Sequence, residues 1–222
     1  METRLNKFLA ERLGISRREA DEIISDGKVT VDGKIAQLGV KIDKNNKVCY
    51  NNKIVPQQAE YLYIMFHKPV GYVCSRRAQG SAPTLYELLP QKYQHLKTVG
   101  RLDKDSSGLI LLTNDGDFAF QMTHPKFRKT KVYEVELNRA LEPLHQQMIS
   151  DYGVMLDDGP SQFKVIKDEQ NRYIVTLTEG RNRQIRRTFA ALGYKVTKLH
   201  RTHFGKYELG NLAPEKYVII KP

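Results

Sequence analysis

The chain has 222 residues, with 36 Lys and Arg against 25 Asp and Glu, a net charge of +11 and a pI near 9.5. That length predicts a small module beside a larger one; 40% hydrophobic residues supply a core, and the basic surplus favours a polyanionic partner. No stretch approaches the roughly 18 apolar residues of a membrane helix, and two cysteines, Cys49 and Cys74, are too few for a disulfide scaffold or a cysteine-rich zinc site.

Leu5, Phe8, Leu9 and Leu13 recur at helical spacing and predict a first helix ending at Gly14. Ser16-Arg17-Arg18-Glu19 reads as a capping box opening a second helix, with Ala20, Ile23 and Ile24 on one face and a stop at Gly27. Val29–Ala36 is strand, Asp32-Gly33 turn and strand, and a further hairpin is expected around Asn51-Asn52-Lys53. Pro56–Glu60 reads as a linker, dividing the chain into residues 1–60 and 61–222. The first part holds 11 basic and 9 acidic side chains, leaving 25 and 16 for the second, where most of the surplus therefore sits.

Beyond the linker, strands are predicted at Tyr61–Phe66, Gly71–Cys74, Leu109–Thr113, Val132–Leu137, Phe163–Ile166, Tyr173–Leu177, Lys195–Leu199 and Tyr217–Ile220. Helices are expected at Thr84–Leu89, Gly116–Met122, Glu142–Ile149 and Asn182–Leu192. This interleaving indicates an α+β fold with a mixed or antiparallel sheet.

The stretch from Val99 to Gly116 is the most informative for chemistry. Asp103, Asp105, Ser107 and Gly108 imitate the start of a calcium loop, but Asn114 stands where that loop needs a bidentate glutamate. An aspartyl-phosphate reading of Asp103 fails as well, because the apolar strand follows the aspartates rather than preceding them. His67, Cys74 and Ser75 show no dyad spacing and are assigned to structure, and the other histidines show no metal-ligand pattern. No Gly-rich nucleotide loop is present.

The N-terminal pattern, from Arg4 to Leu9 through the Ser-Arg-Arg-Glu-Ala cap to the Val-x-Val-Asp-Gly-Lys turn, resembles the αL RNA-binding domain of ribosomal protein S-four type. That resemblance implies RNA contacts from Arg17 and Arg18 at the start of the second helix. Four further blocks follow in order: Phe66–Ser75, Gly100-Arg101-Leu102-Asp103 with Ser106–Gly116, Lys131-Val132-Tyr133, and Glu179–Arg187. Together they closely resemble the RsuA/RluB family of bacterial ribosomal RNA pseudouridine synthases. A catalytic domain with a mixed or antiparallel sheet around a basic central cleft is implied.

The resemblance assigns catalysis to Asp103, which acts at the anomeric carbon, to Tyr133, which stacks on the extruded uracil, and to Arg186, the basic partner of the carboxylate. Arg101 is the family's motif arginine, expected on backbone phosphates of the flipped nucleotide. Arg181, Arg183 and Arg187 are expected to grip phosphate from a helix face. Lys126, Arg128, Lys129 and Lys131 are expected to make electrostatic RNA contacts. Isomerising uridine oxidises nothing and imports no group, so no cofactor or metal is expected.

The implied partner is ribosomal RNA or a ribosomal subunit precursor, and the chain is expected to act as a cytoplasmic monomer away from membranes. Gly71–Ser75 and Leu199-His200-Arg201 look like small-subunit enzymes, whereas Leu156–Pro160 and the Glu179–Arg187 block look more like large-subunit ones. Small-subunit RNA is the favoured substrate, with large-subunit RNA or a noncatalytic assembly role as alternatives.

Overall fold

The computed structural model describes residues 2–57, 60–76 and 80–222. The chain forms two compact units, one of Met1–Leu62 with His95–Lys97 and Thr113–Gly116, the other of Tyr63–Gln94, Thr98–Leu112 and Asp117–Pro222. Within the predicted linker, Gln58 and Ala59 lie outside the described residues. Among the described residues, no helix is long and apolar enough to cross a membrane.

In the first unit, β1 (Thr3–Arg4) leads into α1 (Leu5–Leu13), whose Leu5, Phe8 and Leu9 are buried as their spacing requires. Gly14 ends the helix at φ 68, a left-handed cap that a side chain would resist. Before α2 (Arg17–Ser25), the Glu19 N–H donates to Ser16 Oγ at 3.1 Å, and the Ser16 N–H donates to the Glu19 carboxylate at 2.6 Å. Both halves of the predicted capping box are therefore made.

β2 (Val29–Val31) and β3 (Lys34–Ile35) join through Asp32 and Gly33, both at positive φ as a tight hairpin turn demands. β4 (Lys41–Ile42) pairs back on β1, and β5 (Val48–Tyr50) and β6 (Lys53–Ile54) complete a sheet in the order β3-β2-β5-β6. Phe8, Leu9, Ala20, Ile24, Val29 and Val48 meet in one core. Each large apolar side chain so buried contributes about 1.5–3 kcal/mol.

The second unit is built on β7 (Tyr63–Lys68), β8 (Lys97–Val99), β9 (Ser107–Thr113), β10 (Lys131–Leu137), β11 (Val154–Leu156), β12 (Gly159–Ser161), β13 (Lys164–Lys167), β14 (Arg172–Leu177), β15 (Val196–Phe204), β16 (Tyr207–Glu208) and β17 (Tyr217–Ile219). Nine of these strands form one sheet along the path β13-β14-β10-β15-β9-β7-β17, with β16 on β15 and β8 on β9. The β15–β9 pairing is parallel and the β10–β14 and β10–β15 pairings are antiparallel, so the sheet is mixed. Its helices are α3 (Gly116–Thr123), α4 (Pro143–Gln147) and α5 (Gln184–Ala191). Met122 of α3 packs with Leu109, Leu111, Phe204 and Tyr207 against the sheet.

Three predicted elements differ from those observed. Gly71–Cys74 is not a strand: Gly71 turns the chain at φ 93, and Val73 makes only a lone bridge to Thr84. The helix expected at 84–89 is one 3-10 turn, Leu85–Leu88, capped by Thr84 and Glu87 and followed by Pro90, whose ring cannot extend it. The helix expected at 142–149 continues past α4 as a π turn, Met148–Tyr152, and stops at Gly153.

Candidate active site

Asp103 lies on the irregular segment between β8 and β9, which is held by its own carbonyls. The ammonium of Lys68, fully buried at the end of β7, donates to the carbonyls of Asp103 (3.0 Å) and Ser106 (2.7 Å). The Gly71 N–H donates to the Lys104 carbonyl at 2.7 Å, and Arg186 Nη2 donates to that of Asp105 at 2.8 Å. Four consecutive carbonyls thus have donors from elements distant in sequence, which fixes the segment that carries the carboxylate. Cys74 Sγ accepts the Leu102 N–H at 3.3 Å, and burial pushes its thiol pKa up, so Cys74 braces the segment as a protonated group.

The cations around Asp103 are distributed differently from the sequence expectation. Arg183, expected on phosphate, approaches the Asp103 carboxylate at 3.8 Å and grips Asp105 through two nitrogens, at 3.0 and 3.1 Å. Its backbone explains this: Arg183 caps α5 at φ 46, a left-handed conformation uncommon for a residue with a side chain. Arg186, expected beside Asp103, instead places Nε 3.2 Å from the Asp105 carboxylate and donates to the Val196 carbonyl at 2.9 Å. Burial alone would raise the Asp105 pKa, but the Arg183 hydrogen bond and the charges of Arg186 and Arg183 outweigh it and hold Asp105 low.

Arg186 therefore acts on the segment bearing Asp103. Arg186→Ala is expected to slow single-turnover conversion about a hundredfold while RNA affinity stays within about threefold, as small misplacement of a reacting group would. Parallel single-turnover and filter-binding measurements check this; an equal loss of rate and affinity would refute it.

Two other predicted phosphate-gripping residues are committed within the fold. Arg181 Nη1 donates to the Asp158 carboxylate at 2.8 Å and Arg181 Nη2 to the Pro160 carbonyl at 2.8 Å. Arg187 meets Asp157 at 2.5 Å and Asp158 at 2.7 Å. The acidic turn of the β11–β12 hairpin, which sequence reasoning did not pair, neutralises both. Gln184, buried between Ser161 and Glu179, ties α5 to the same hairpin.

Arg101, Lys126 and Arg128 are exposed and Lys129 is half-buried; the Lys126 ammonium lies 4.7 Å from the Phe127 ring centre. In the first unit, Arg17 and Arg18 are exposed at the start of α2, with Arg17 donating to Asn6.

A cavity of about 270 Å³ opens beside Asp103, and its lining includes Arg101, Tyr133, Lys131, Arg183, Leu199 and Arg201. Tyr133, on β10, is 8% exposed. The structure thus brings Asp103 and Tyr133 to one cavity as expected, together with Arg101. Lys131, expected to make electrostatic RNA contacts with Lys126, Arg128 and Lys129, is 9% exposed, and its ammonium donates to the carbonyls of Lys129 and Glu179. Arg201, 2% exposed on β15, received no site role from the sequence, where it figured only in the Leu199-His200-Arg201 resemblance to small-subunit enzymes. The available signal was an arginine two residues from buried Leu199 on an alternating strand, where it must face the same way.

Burial, with the nearby Arg201 charge adding to it, lowers the Lys131 pKa to about 8 from the ordinary 10.5, against an opposing pull from Glu179. Between those values the unfolded chain binds a proton that the folded chain does not, so this lysine makes stability rise with pH across that window. The unfolding midpoint of Lys131→Met is expected to rise less than that of wild type from pH 8 to pH 10. Thermal melts across that range check the difference, and parallel curves for the two proteins would contradict it.

A family model described as RNA pseudouridylate synthase matches residues 62–191, and an S4 domain model matches residues 3–48. The chain is 36% identical to the ribosomal small subunit pseudouridine synthase A of Pasteurella multocida, an alignment covering 96% of this chain and 93% of that one. It is 35% identical to the ribosomal large subunit pseudouridine synthase B of Bacillus subtilis, covering 94% and 88%. A crystal structure described as pseudouridylate synthase superposes with a TM-score of 0.71 at 32% identity, covering 98% of this chain and 96% of the other.

Proposed function

The chain belongs to the RNA pseudouridylate synthase family and carries an S4 domain at its N-terminus, and from that membership we propose that it isomerises a specific uridine of ribosomal RNA to pseudouridine. The observation that carries the reading is the convergence of Asp103 and Tyr133 on one cavity, with Arg183 beside the carboxylate. Residues 1–60 act as the RNA-binding domain and 61–222 as the catalytic domain. The RNA is the partner, and the enzyme works as a cytoplasmic monomer.

The reaction starts with an unpaired or extruded uridine, because a stacked base cannot reach a recessed carboxylate. Tyr133 stacks on the uracil, and Arg101, exposed at the cavity, holds the adjoining phosphate. Asp103 then acts at the sugar, either by attack on C1′ or by taking the C2′ proton, and the C1′–N1 bond breaks. The base turns, C5 bonds to C1′, and the C5 proton leaves. Lys126, Arg128, Lys129, Arg17 and Arg18 contribute phosphate contacts that salt weakens. Arg186 has its part through the Asp105 segment, and Arg181 and Arg187 through the β11–β12 turn.

Enzymes of both subunits are relatives at nearly equal identity, so the substrate is decided by assay. Ribosomal RNA of each subunit, labelled with tritium at uracil C5, is incubated separately with the protein. Release is expected from one of them, with small-subunit RNA first in order. Tight binding without release from either RNA or from early ribosomal particles would replace this reading with a noncatalytic assembly role.

A further inference from the structure

The cavity contains more buried positive charge than the Asp103 chemistry uses. The Arg201 guanidinium donates from Nε to the Leu109 carbonyl at 2.7 Å and lies 3.5 Å from the Tyr133 hydroxyl through Nη1, while Nη2 is buried without a partner. The guanidinium carbon stands 4.9 Å from the centre of the Phe204 ring, and the Lys131 ammonium stands 5.4 Å from the same ring. Among the described residues, neither cation has a carboxylate within 4.0 Å. Two cations drawn out of water with no carboxylate in contact, Glu179 acting on Lys131 only from a greater distance, are costly, and negative charge entering the site offsets that cost.

We propose that Arg201 and Lys131 form a cationic floor that receives the uracil ring as an anion when the glycosidic bond breaks. This rests on the pseudouridine synthase reading and adds a role for two residues. When C1′–N1 breaks, the electron pair stays with N1 and delocalises over the ring oxygens. Asp103 is neutralised at the same step, by the C2′ proton or by its new bond to C1′, so the negative charge passes from carboxylate to base. When C5 bonds to C1′, Asp103 gives up the proton or the bond, and the C5 proton is replaced by one on N1.

A phosphate is a poorer fit for this floor. Tyr133, Leu199, Leu177 and Phe204 line the cavity with flat or apolar surface suited to a planar ring. The exposed Arg101 at the same cavity is placed for phosphate. Donors held ready for charge that appears only during reaction act most strongly in such a water-poor site.

The test compares single-turnover loss of the target nucleoside, read by chromatography of digested RNA, on uridine RNA and on RNA carrying 5-fluorouridine. Fluorine withdraws electrons and stabilises the detached base, so that base needs less help from the protein. Arg201→Gln is expected to slow uridine about a hundredfold, on the scale of losing one oxyanion donor, and 5-fluorouridine about tenfold or less. RNA affinity should stay close to wild type. The ratio between the two bases is taken within one variant and is independent of how much of it is folded.

Equal slowing on both bases would overturn the proposal, as would weakened binding with a shallower salt dependence, the mark of a phosphate contact. If Arg201→Gln gives no active protein, Lys131→Gln decides by the same ratio: a larger defect on uridine supports the floor, and an equal defect removes it. Wild type inactive on both RNAs would instead overturn the pseudouridine synthase reading on which the inference stands.

Discussion

Asp103→Asn is expected to abolish tritium release while RNA binding stays near wild type. The change keeps the shape of the side chain and removes its charge, so the carbonyl contacts from Lys68, Gly71 and Arg186 that hold the segment remain available. What is lost is the group that either takes the C2′ proton or bonds to C1′, and an amide does neither well. Removing one indispensable member of a catalytic unit costs about ten-thousandfold or more, equivalent to about 5 kcal/mol of barrier. Single-turnover release and filter binding on the same RNA measure the two quantities. Residual release within tenfold of wild type would move the chemistry to another residue of the cavity.

Gly108→Ala is expected to disable the second unit by a different route. Gly108 pairs in parallel register with Arg201, where β9 and β15 run side by side. A Cβ there would stand 2.2 Å from the Arg201 carbonyl oxygen and 2.6 Å from its nitrogen, and the residue holds φ +108. Both obstacles are backbone, so no side chain can step aside, and the strands must separate. A clash of this kind belongs among the exceptional substitutions, costing about 3–5 kcal/mol, or a fall of about 10 °C or more in the unfolding midpoint of the unit. Insoluble expression or that fall would fit the geometry. A melt within about 2 °C of wild type would show that the strands can spread at little cost.

Local signals made much of the fold legible. The stripe of Leu5, Phe8 and Leu9, the reciprocal Ser16–Glu19 bonds and the Asp32-Gly33 turn each act within a few residues, and each formed as the sequence indicates. Pairings that join distant short segments were not legible. β1 and β4 are two residues each, and the β11–β12 hairpin depends on an acidic turn satisfied by Arg181, ahead of α5, and Arg187, on it. Gly71–Cys74 has the composition of a strand, yet the backbone there must turn so that Gly71 can reach the Lys104 carbonyl.

At the site, family resemblance led to Asp103 and Tyr133 because their motifs are compact and ordered. It did not distribute the arginines. Which of Arg183 and Arg186 faces Asp103 depends on one left-handed residue at the start of α5, a property that residue type alone does not reveal. Arg201 was hidden for the opposite reason, since an arginine in a strand is ordinarily taken as exposed.

The outer pairing of the large sheet sets a timetable for making the enzyme. Ile64, Met65 and Phe66 on β7 pair in register with Ile219, Val218 and Tyr217 on β17, so the first strand of the second unit is edged by its last. The segment bearing Asp103 is likewise pinned by α5 from about eighty residues away. Contacts of such long range close slowly and cannot form on a partly made chain. During synthesis the helices and hairpins of the N-terminal unit, which are local, have their partners while the large sheet still lacks an edge. RNA can thus meet a folded S4 domain before the large sheet has its last edge strand.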